Sequence, residues 1–100
     1  MKIDAIMINE KDNVATALRD IQTGETISLG LGDQTTKMFI INLIPYGHKF
    51  AIKDISKGEN IFKYGEAMGR ATQGIAVGAH AHIQNIESLR GRGDLESQEV

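Results

Sequence analysis

Apolar side chains along this chain recur with the period of an extended strand more often than with that of a helix. Residues 2–9 open with Ile3 and Ala5 separated by Asp4 and are rich in Ile, a β-branched residue suited to a pleated surface. The run 37–44 has only Lys37 and Asn42 as polar positions, which predicts a central strand buried on both faces and ended by Pro45. Residues 26–29 predict another strand, 30–34 a turn with two permissive glycines, and 61–66 a strand running into a turn. Positions 79–86 alternate and predict a last strand. The exception is 13–18, where Val14 and Leu18 fall four apart behind Asp12, a spacing that predicts a short helix capped by Asp12.

One phrase occurs twice. Ala17-Leu18-Arg19-Asp20-Ile21-Gln22-Thr23-Gly24-Glu25-Thr26-Ile27 returns 34 positions later as Ala51-Ile52-Lys53-Asp54-Ile55-Ser56-Lys57-Gly58-Glu59-Asn60-Ile61. In each copy the Asp can accept from nearby backbone, the Gly can take positive φ, and an apolar residue then restarts extended structure. The same corner is therefore used twice. Two copies cannot bury the continuous core of a stacked array, so the repeat implies one pseudo-symmetric domain. The expected fold is mostly β, a single domain over residues 1–88 with one or two short helices, followed by a flexible tail over 89–100. That tail contains Arg92-Gly93-Asp94, which reads as a solvated segment rather than an adhesion signal.

Composition narrows the function classes. The net charge is −2 with both signs interspersed, and only five aromatics are present, so nucleic-acid binding is disfavoured. No apolar stretch is long enough to span a membrane and no export signal is visible at the start, so a cytoplasmic protein is expected. The absence of cysteine removes thiolate catalysis, disulfides and Cys-ligated clusters within this chain. Glycine-rich phosphate loops and nucleophile elbows are missing as well.

The chemistry then falls on three histidines. In Gly78-Ala79-His80-Ala81-His82-Ile83-Gln84-Asn85 a period of two puts His80, His82 and Gln84 on one face. Same-face side chains lie roughly 6.5–7 Å apart, a span two imidazoles can bridge to one metal ion, carboxylate or water. The pattern equally suits a strand face that is merely polar, or a surface turned to a partner; a metal site of His80 and His82 lacks a visible third ligand. In Pro45-Tyr46-Gly47-His48-Lys49, an imidazole and a cation follow a constrained turn, which suits a carboxylate grip as well as a solvated hairpin. Lys63-Tyr64-Gly65-Glu66 offers a cation, a phenol and a carboxylate beside a glycine, or simply covers core with Tyr64.

Taken together, Gly47-His48-Lys49, the second corner, Lys63-Tyr64-Gly65-Glu66, Met68-Gly69-Arg70-Ala71-Thr72 and His80-x-His82-x-x-Asn85, with Asp12-Asn13-Val14-Ala15 upstream, resemble the SAF-type amino-terminal domain of the altronate and galactarate dehydratase family. The resemblance covers most of residues 5–87. It implies a β-clip fold and a place in a sugar-acid hydro-lyase that eliminates water from an aldonic or aldaric acid to give a 2-keto-3-deoxy acid. A chain of this length would be the separate small subunit, inactive alone, partnered by a large catalytic dehydratase subunit. Iron(II) or another divalent metal is expected with that large subunit. Relatives often show Glu-His-x-His-x-His-Asn, where this chain has Ala79 and Gln84 in place of the acid and the third imidazole.

Elimination removes the proton α to a carboxylate while the β substituent leaves, so an enediolate-like charge must be stabilised and the departing oxygen protonated. For such an elimination His48 and Lys49 are expected to hold the substrate carboxylate or hydroxyls, and His80 and His82 to complete a substrate-binding cleft against the large subunit, with Tyr64 a further substrate contact and base and metal elsewhere. Two other roles stay open. A sulfolactate sulfo-lyase resembles the same assembly, with sulfite as leaving group, and SAF-type domains also serve as noncatalytic carbohydrate-binding modules. Self-association into a homo-oligomer is compatible with the same features.

Overall fold

A computed structural model describes residues 2–89. The expected tail lies, from residue 90 onward, outside the described residues, as does the Arg92-Gly93-Asp94 triplet. The described residues form nine strands: β1 Ala5–Ile6, β2 Val14–Ala17, β3 Thr26–Leu31, β4 Gln34–Phe39, β5 Lys49–Ala51, β6 Asn60–Lys63, β7 Glu66–Ala71, β8 His80–Ala81 and β9 Ile86–Ser88. They make a six-stranded sheet in the order β4-β3-β1-β2-β5-β8 and a three-stranded sheet β6-β7-β9. Pairing is antiparallel except between β1 and β3.

The repeated corner is real, and the described residues hold four of them. Ile21 and Ile44 bridge each other through two backbone hydrogen bonds of 2.8 Å, and Ile55 and Ile75 do the same. Three residues after each Ile stands a glycine with positive φ: Gly24 at 90°, Gly47 at 82°, Gly58 at 91° and Gly78 at 85°. Each pair of corners carries its own core. Ile21 and Ile44 pack with Ala15, Ile27, Ile40 and Phe50, whereas Ile55 and Ile75 pack with Val14, Ile61, Ala71 and Ala81. The symmetry extends to polar groups: the Tyr46 N–H donates to Asp20 at 2.8 Å, and the Val77 N–H donates to Asp54 at 2.9 Å. Glu25 and Glu59 each accept from the backbone N–H three residues earlier, at Gln22 and Ser56. Two pseudo-equivalent halves thus share one body, as the repeat implied.

Two local expectations are corrected. Residues 13–18 form no helix, because Val14, Ala15 and Ala17 are all buried between neighbours: β2 pairs with β1 on one side and β5 on the other. Weak helical spacing yields to that burial. Asp12 and Asn13 accordingly cap nothing helical but tie β2 to the smaller sheet. The Asn13 side chain donates to the Asn60 carbonyl at 2.9 Å and accepts from the Phe62 N–H at 2.8 Å. The run 37–44 is not a central strand either. β4 is an edge strand with mostly exposed side chains, and only Ile40 and Ile44 of the run are buried while Phe39, Ile41 and Leu43 stand in solvent.

One ion cluster braces the first corner. Arg19 donates to Asp4 at 2.9 Å and grips Glu25 with two nitrogens at 2.8 and 3.1 Å. Arg19 and the Gln22 N–H hold Glu25 down from 4.5 to about 2, and the Ser28 N–H with Arg19 lowers Asp4. A depressed carboxylate contributes stability that is complete above its unfolded pKa and is lost as pH falls toward the folded value. Denaturant unfolding should therefore show stability falling between about pH 4.5 and about pH 2, and Arg19→Met should flatten that slope. An unchanged slope in the variant would mean the cluster is fully screened by solvent.

Candidate functional site

The corner at Gly47 delivers His48 to the start of β5, and β8 lies beside β5 with Lys49 opposite Ala81 and Phe50 opposite His80. This pairing, between segments some thirty residues apart in sequence, brings all three imidazoles together. His48 and His82 stack with centroids 4.1 Å apart and planes 9° from parallel. His48 and His80 lie 5.2 Å apart at 17°, and their Nδ1 and Nε2 atoms approach to 2.9 Å. The strand expected over 79–86 is interrupted at His82: Asn85, itself buried, accepts from the His82 N–H and donates to the His80 carbonyl, both at 2.9 Å. That turn lays His82 onto His48. A further hydrogen bond of 3.0 Å, from the His80 N–H to the Asn42 side chain, fixes the other side.

The proton positions follow from Gln84. Its amide nitrogen lies 3.0 Å from His80 Nδ1, and an amide can only donate there. Neutral His80 then carries its proton on Nε2 and donates to His48 Nδ1, which leaves the His48 proton on Nε2. The surroundings of His80 and His82 disfavour their charged forms. Burial, then the neighbouring His48, His82 and Lys49, pushes His80 below its ordinary value; burial, His48 and Lys49 do the same to His82. Lys49 is lowered chiefly by burial and further by Lys63.

Beside the stack lies a cavity of about 240 Å³. Ile61, Met68 and Ile86 form its apolar wall, and Lys49, Lys63, Tyr64, His82 and Ser88 supply its polar groups. His82 belongs to both the stack and the cavity. Lys63 and Tyr64 are consecutive, so strand geometry alone would turn them to opposite faces. They share the cavity because Tyr64 adopts φ 60° and Gly65 φ 77°, the positive-φ pair of a two-residue hairpin loop between β6 and β7. The fully buried Asp12 carboxylate holds this loop by accepting from the Tyr64 N–H at 3.1 Å and the Gly65 N–H at 2.8 Å. The Lys63 ammonium then rests 4.9 Å from the Tyr64 ring centroid. A larger groove of about 610 Å³ on the face of β4 is lined mainly by apolar side chains such as Met38, Phe39 and Val77 and contains none of these groups.

Of the residues singled out from sequence, His48, His80 and His82 meet in the stack, and Lys49, His82 and Tyr64 meet in the cavity. Lys63, Asp12 and Asn85 escaped the site residues because their contributions depend on the Tyr64 loop and the His82 turn. The stack is a poor metal site. Both nitrogens of His80 are engaged, by Gln84 and His48, and parallel rings do not aim their in-plane lone pairs at one point. Among the described residues no group of three or more His, Asp or Glu is placed to hold a metal ion. None of the described residues forms a helix long and apolar enough to cross a membrane.

Comparison with known proteins bears on what this arrangement belongs to. Residues 3–89 match the altronate/galactarate dehydratase SAF domain. The altronate dehydratase of Escherichia coli is 41% identical over 83 residues, covering 83% of this chain and 16% of the relative. That of Bacillus subtilis is 38% identical over 84 residues and is likewise covered for 16% of its length. This chain thus spans about one sixth of those enzymes. The (2R)-sulfolactate sulfo-lyase subunit alpha of Chromohalobacter salexigens is 31% identical over 93 residues, covering 90% of this chain and 99% of the relative. With a match that takes in both sheets, all four corners, the histidine stack and the cavity beside it, the chain belongs to the altronate/galactarate dehydratase SAF-domain family.

Proposed function

We propose that this chain is the small SAF-type component of a hydroxy-acid lyase of the altronate dehydratase type. It acts with a separate large subunit to eliminate water from an aldonic or aldaric acid, giving a 2-keto-3-deoxy acid. The observation that carries the reading is the stack of three imidazoles beside a cavity with two lysines. A polyhydroxy acid needs N–H donors for its hydroxyls and a cation for its carboxylate, and these groups supply both. His48 presents its Nε2 proton, Lys49 attracts the carboxylate, and His82 and Tyr64 orient the chain of hydroxyls. Gln84 acts through His80 to keep the His48 proton on Nε2. The large subunit supplies the base that removes the α proton.

A second reading is favoured by the match that runs through 99% of the sulfo-lyase alpha subunit. In that case the group leaving the β carbon is sulfite, and the same residues hold a sulfolactate.

The test is to co-express this chain with its large component and assay both acids. Elimination rates for His48→Ala, His80→Ala and His82→Ala are expected to fall by about 10- to 100-fold, the range for losing a positioned proton donor or binding group. Wild-type rates in all three variants would remove the stack from the mechanism.

A further inference from the structure

The histidine stack sits at the β8 end of the six-stranded sheet, and β4 forms the opposite edge. We infer that two copies of this chain join at that edge, β4 pairing antiparallel with β4 about a two-fold axis centred on Thr35.

The edge is long and open. β4 runs for six residues, nearly all exposed, and pairs with β3 without a break in register. A two-residue turn at Gly32 and Asp33 joins the strands, with Gly32 at φ 59°. Counted from that turn, the alternation of the ladder points the N–H and C=O groups of Thr35 and Lys37 away from β3. Among the described residues nothing pairs with those groups. The other edges are covered or short. Asn13 takes up the Asn60 carbonyl and both backbone groups of Phe62 along β6, while β8 and β9 run for only two and three residues. At the far end of β4 the Phe39 carbonyl lies against Gly78. A straight edge with no proline and no bulge is a template for another strand, and here the free stretch is 33–37.

What fits that stretch is a copy of itself. A two-fold interface requires one patch to be complementary to itself. Centred on Thr35, the pairing sets Thr35 against Thr35 and Gln34 against Thr36, and it brings Asp33 of each copy to Lys37 of the other. Asp33 and Lys37 are the only charged residues from Gly32 to Phe39. Asp33 forms no ion pair among the described residues, and the Lys37 ammonium has the neutral Ser28 hydroxyl at 3.0 Å. Both charges are therefore unmet in one copy and met twice in the pair. Centring on Lys37 would set two ammonium groups opposite each other; centring on Thr36 leaves both charges unmet. Either alternative also runs the pairing into Phe39, where Gly78 is in the way. Because Lys37 lies back on Ser28, it does not shield the edge as an outward lysine does. The result is one continuous sheet with β8 at each end, so both histidine stacks stay free for the large component.

Sedimentation velocity and light scattering on the full chain are expected to show a concentration-dependent dimer with a Kd of about 10–100 µM, the weak range of a small strand-edge interface. On dimerisation, amide exchange should slow at Thr35 and Lys37 and stay unchanged at Gln34, Thr36 and Met38, whose N–H groups already bond β3. Asp33→Lys and Lys37→Glu each place like charges together and should weaken dimerisation about 10-fold or more. Mixed in equal amounts, the two variants should pair with each other, and the double swap Asp33→Lys with Lys37→Glu should restore the homodimer. Thr35→Pro removes an outward N–H without touching the β3 ladder, and a folded monomer is expected. A chain that stays monomeric at about 1 mM overturns the inference. So does a dimer indifferent to the charge changes, which would pair elsewhere or in another register. Loss of binding to the large component in Thr35→Pro, with no dimer of the free chain, also overturns it by assigning the edge to that partner. None of these readouts involves turnover, so they stand apart from the histidine variants.

Discussion

Asp12→Ala is expected to lower stability by about 3–5 kcal/mol, and with it the melting temperature by about 15 °C or more for a domain of this size. Asp12 is fully buried and accepts three backbone N–H groups, from Asn9 at 3.1 Å, Tyr64 at 3.1 Å and Gly65 at 2.8 Å. Alanine removes the acceptor that all three donors share. The loss has a second component. A tyrosine at positive φ costs about 1–2 kcal/mol, and Asp12 is what makes that conformation worth adopting. Without it the loop can relax, Tyr64 and Lys63 leave the cavity wall, and anion binding should weaken together with stability. Asp12→Asn keeps one acceptor oxygen and should cost about half as much. Denaturant unfolding gives the free energies, and the amide shifts of Tyr64 and Gly65 report the loop. A loss below about 1 kcal/mol for Asp12→Ala would mean that water satisfies the three donors without penalty.

The difference between what the residues announced and what they concealed follows from how local each determinant is. Asp20-Ile21-x-x-Gly24-Glu25 and its copy at Asp54 are legible because the residues that turn the chain there act locally: glutamate back to the turn, glycine at positive φ. The corners at Ile44 and Ile75 keep only the Ile and the Gly. Their acidic partners are borrowed across the bridge, since Asp20 serves Tyr46 and Asp54 serves Val77. No sequence spacing announces that. Val14-Ala15-Thr16-Ala17 misleads for a related reason: a strand flanked on both sides buries nearly every side chain and loses the alternation that would identify it. In the 37–44 run hydrophobicity overstated burial, because Phe39, Ile41 and Leu43 face outward, the first two along the groove on β4. Within the site, the constrained turn before His48 and the alternation around His80 and His82 drew attention to the three histidines from the residues themselves. The stacking itself, and the sharing of one cavity by Lys63 and Tyr64, come from the turn at His82 and the loop at Tyr64, each fixed by a buried polar side chain from elsewhere in the fold or turn.

The same distinction between local and long-range causes separates two glycines of identical conformation. Gly24 and Gly78 have φ of 90° and 85°, so alanine strains either by about 1–2 kcal/mol. A Cβ on Gly24 meets nothing within 4 Å, whereas one on Gly78 runs into the Phe39 carbonyl oxygen and approaches the Ile41 nitrogen at 3.5 Å. Neither is the far end of a flexible side chain, so the backbone itself must move, which adds about 1–3 kcal/mol. Gly78→Ala is therefore expected to cost about 3–5 kcal/mol and Gly24→Ala about 1–2 kcal/mol. The excess should also be felt in the site. Gly78 bonds Ala51 through its N–H at 2.8 Å and Ile41 through its carbonyl at 3.0 Å, two residues before His80. Moving 39–41 away from 78–80 lengthens the contact from Asn42 to the His80 N–H and takes His80 off His48. Ring-current shifts of the imidazole protons should change in Gly78→Ala and stay put in Gly24→Ala. Equal losses in the two variants would show that φ strain alone governs both positions and that the approach of Phe39 to Gly78 holds no tension for the histidine stack.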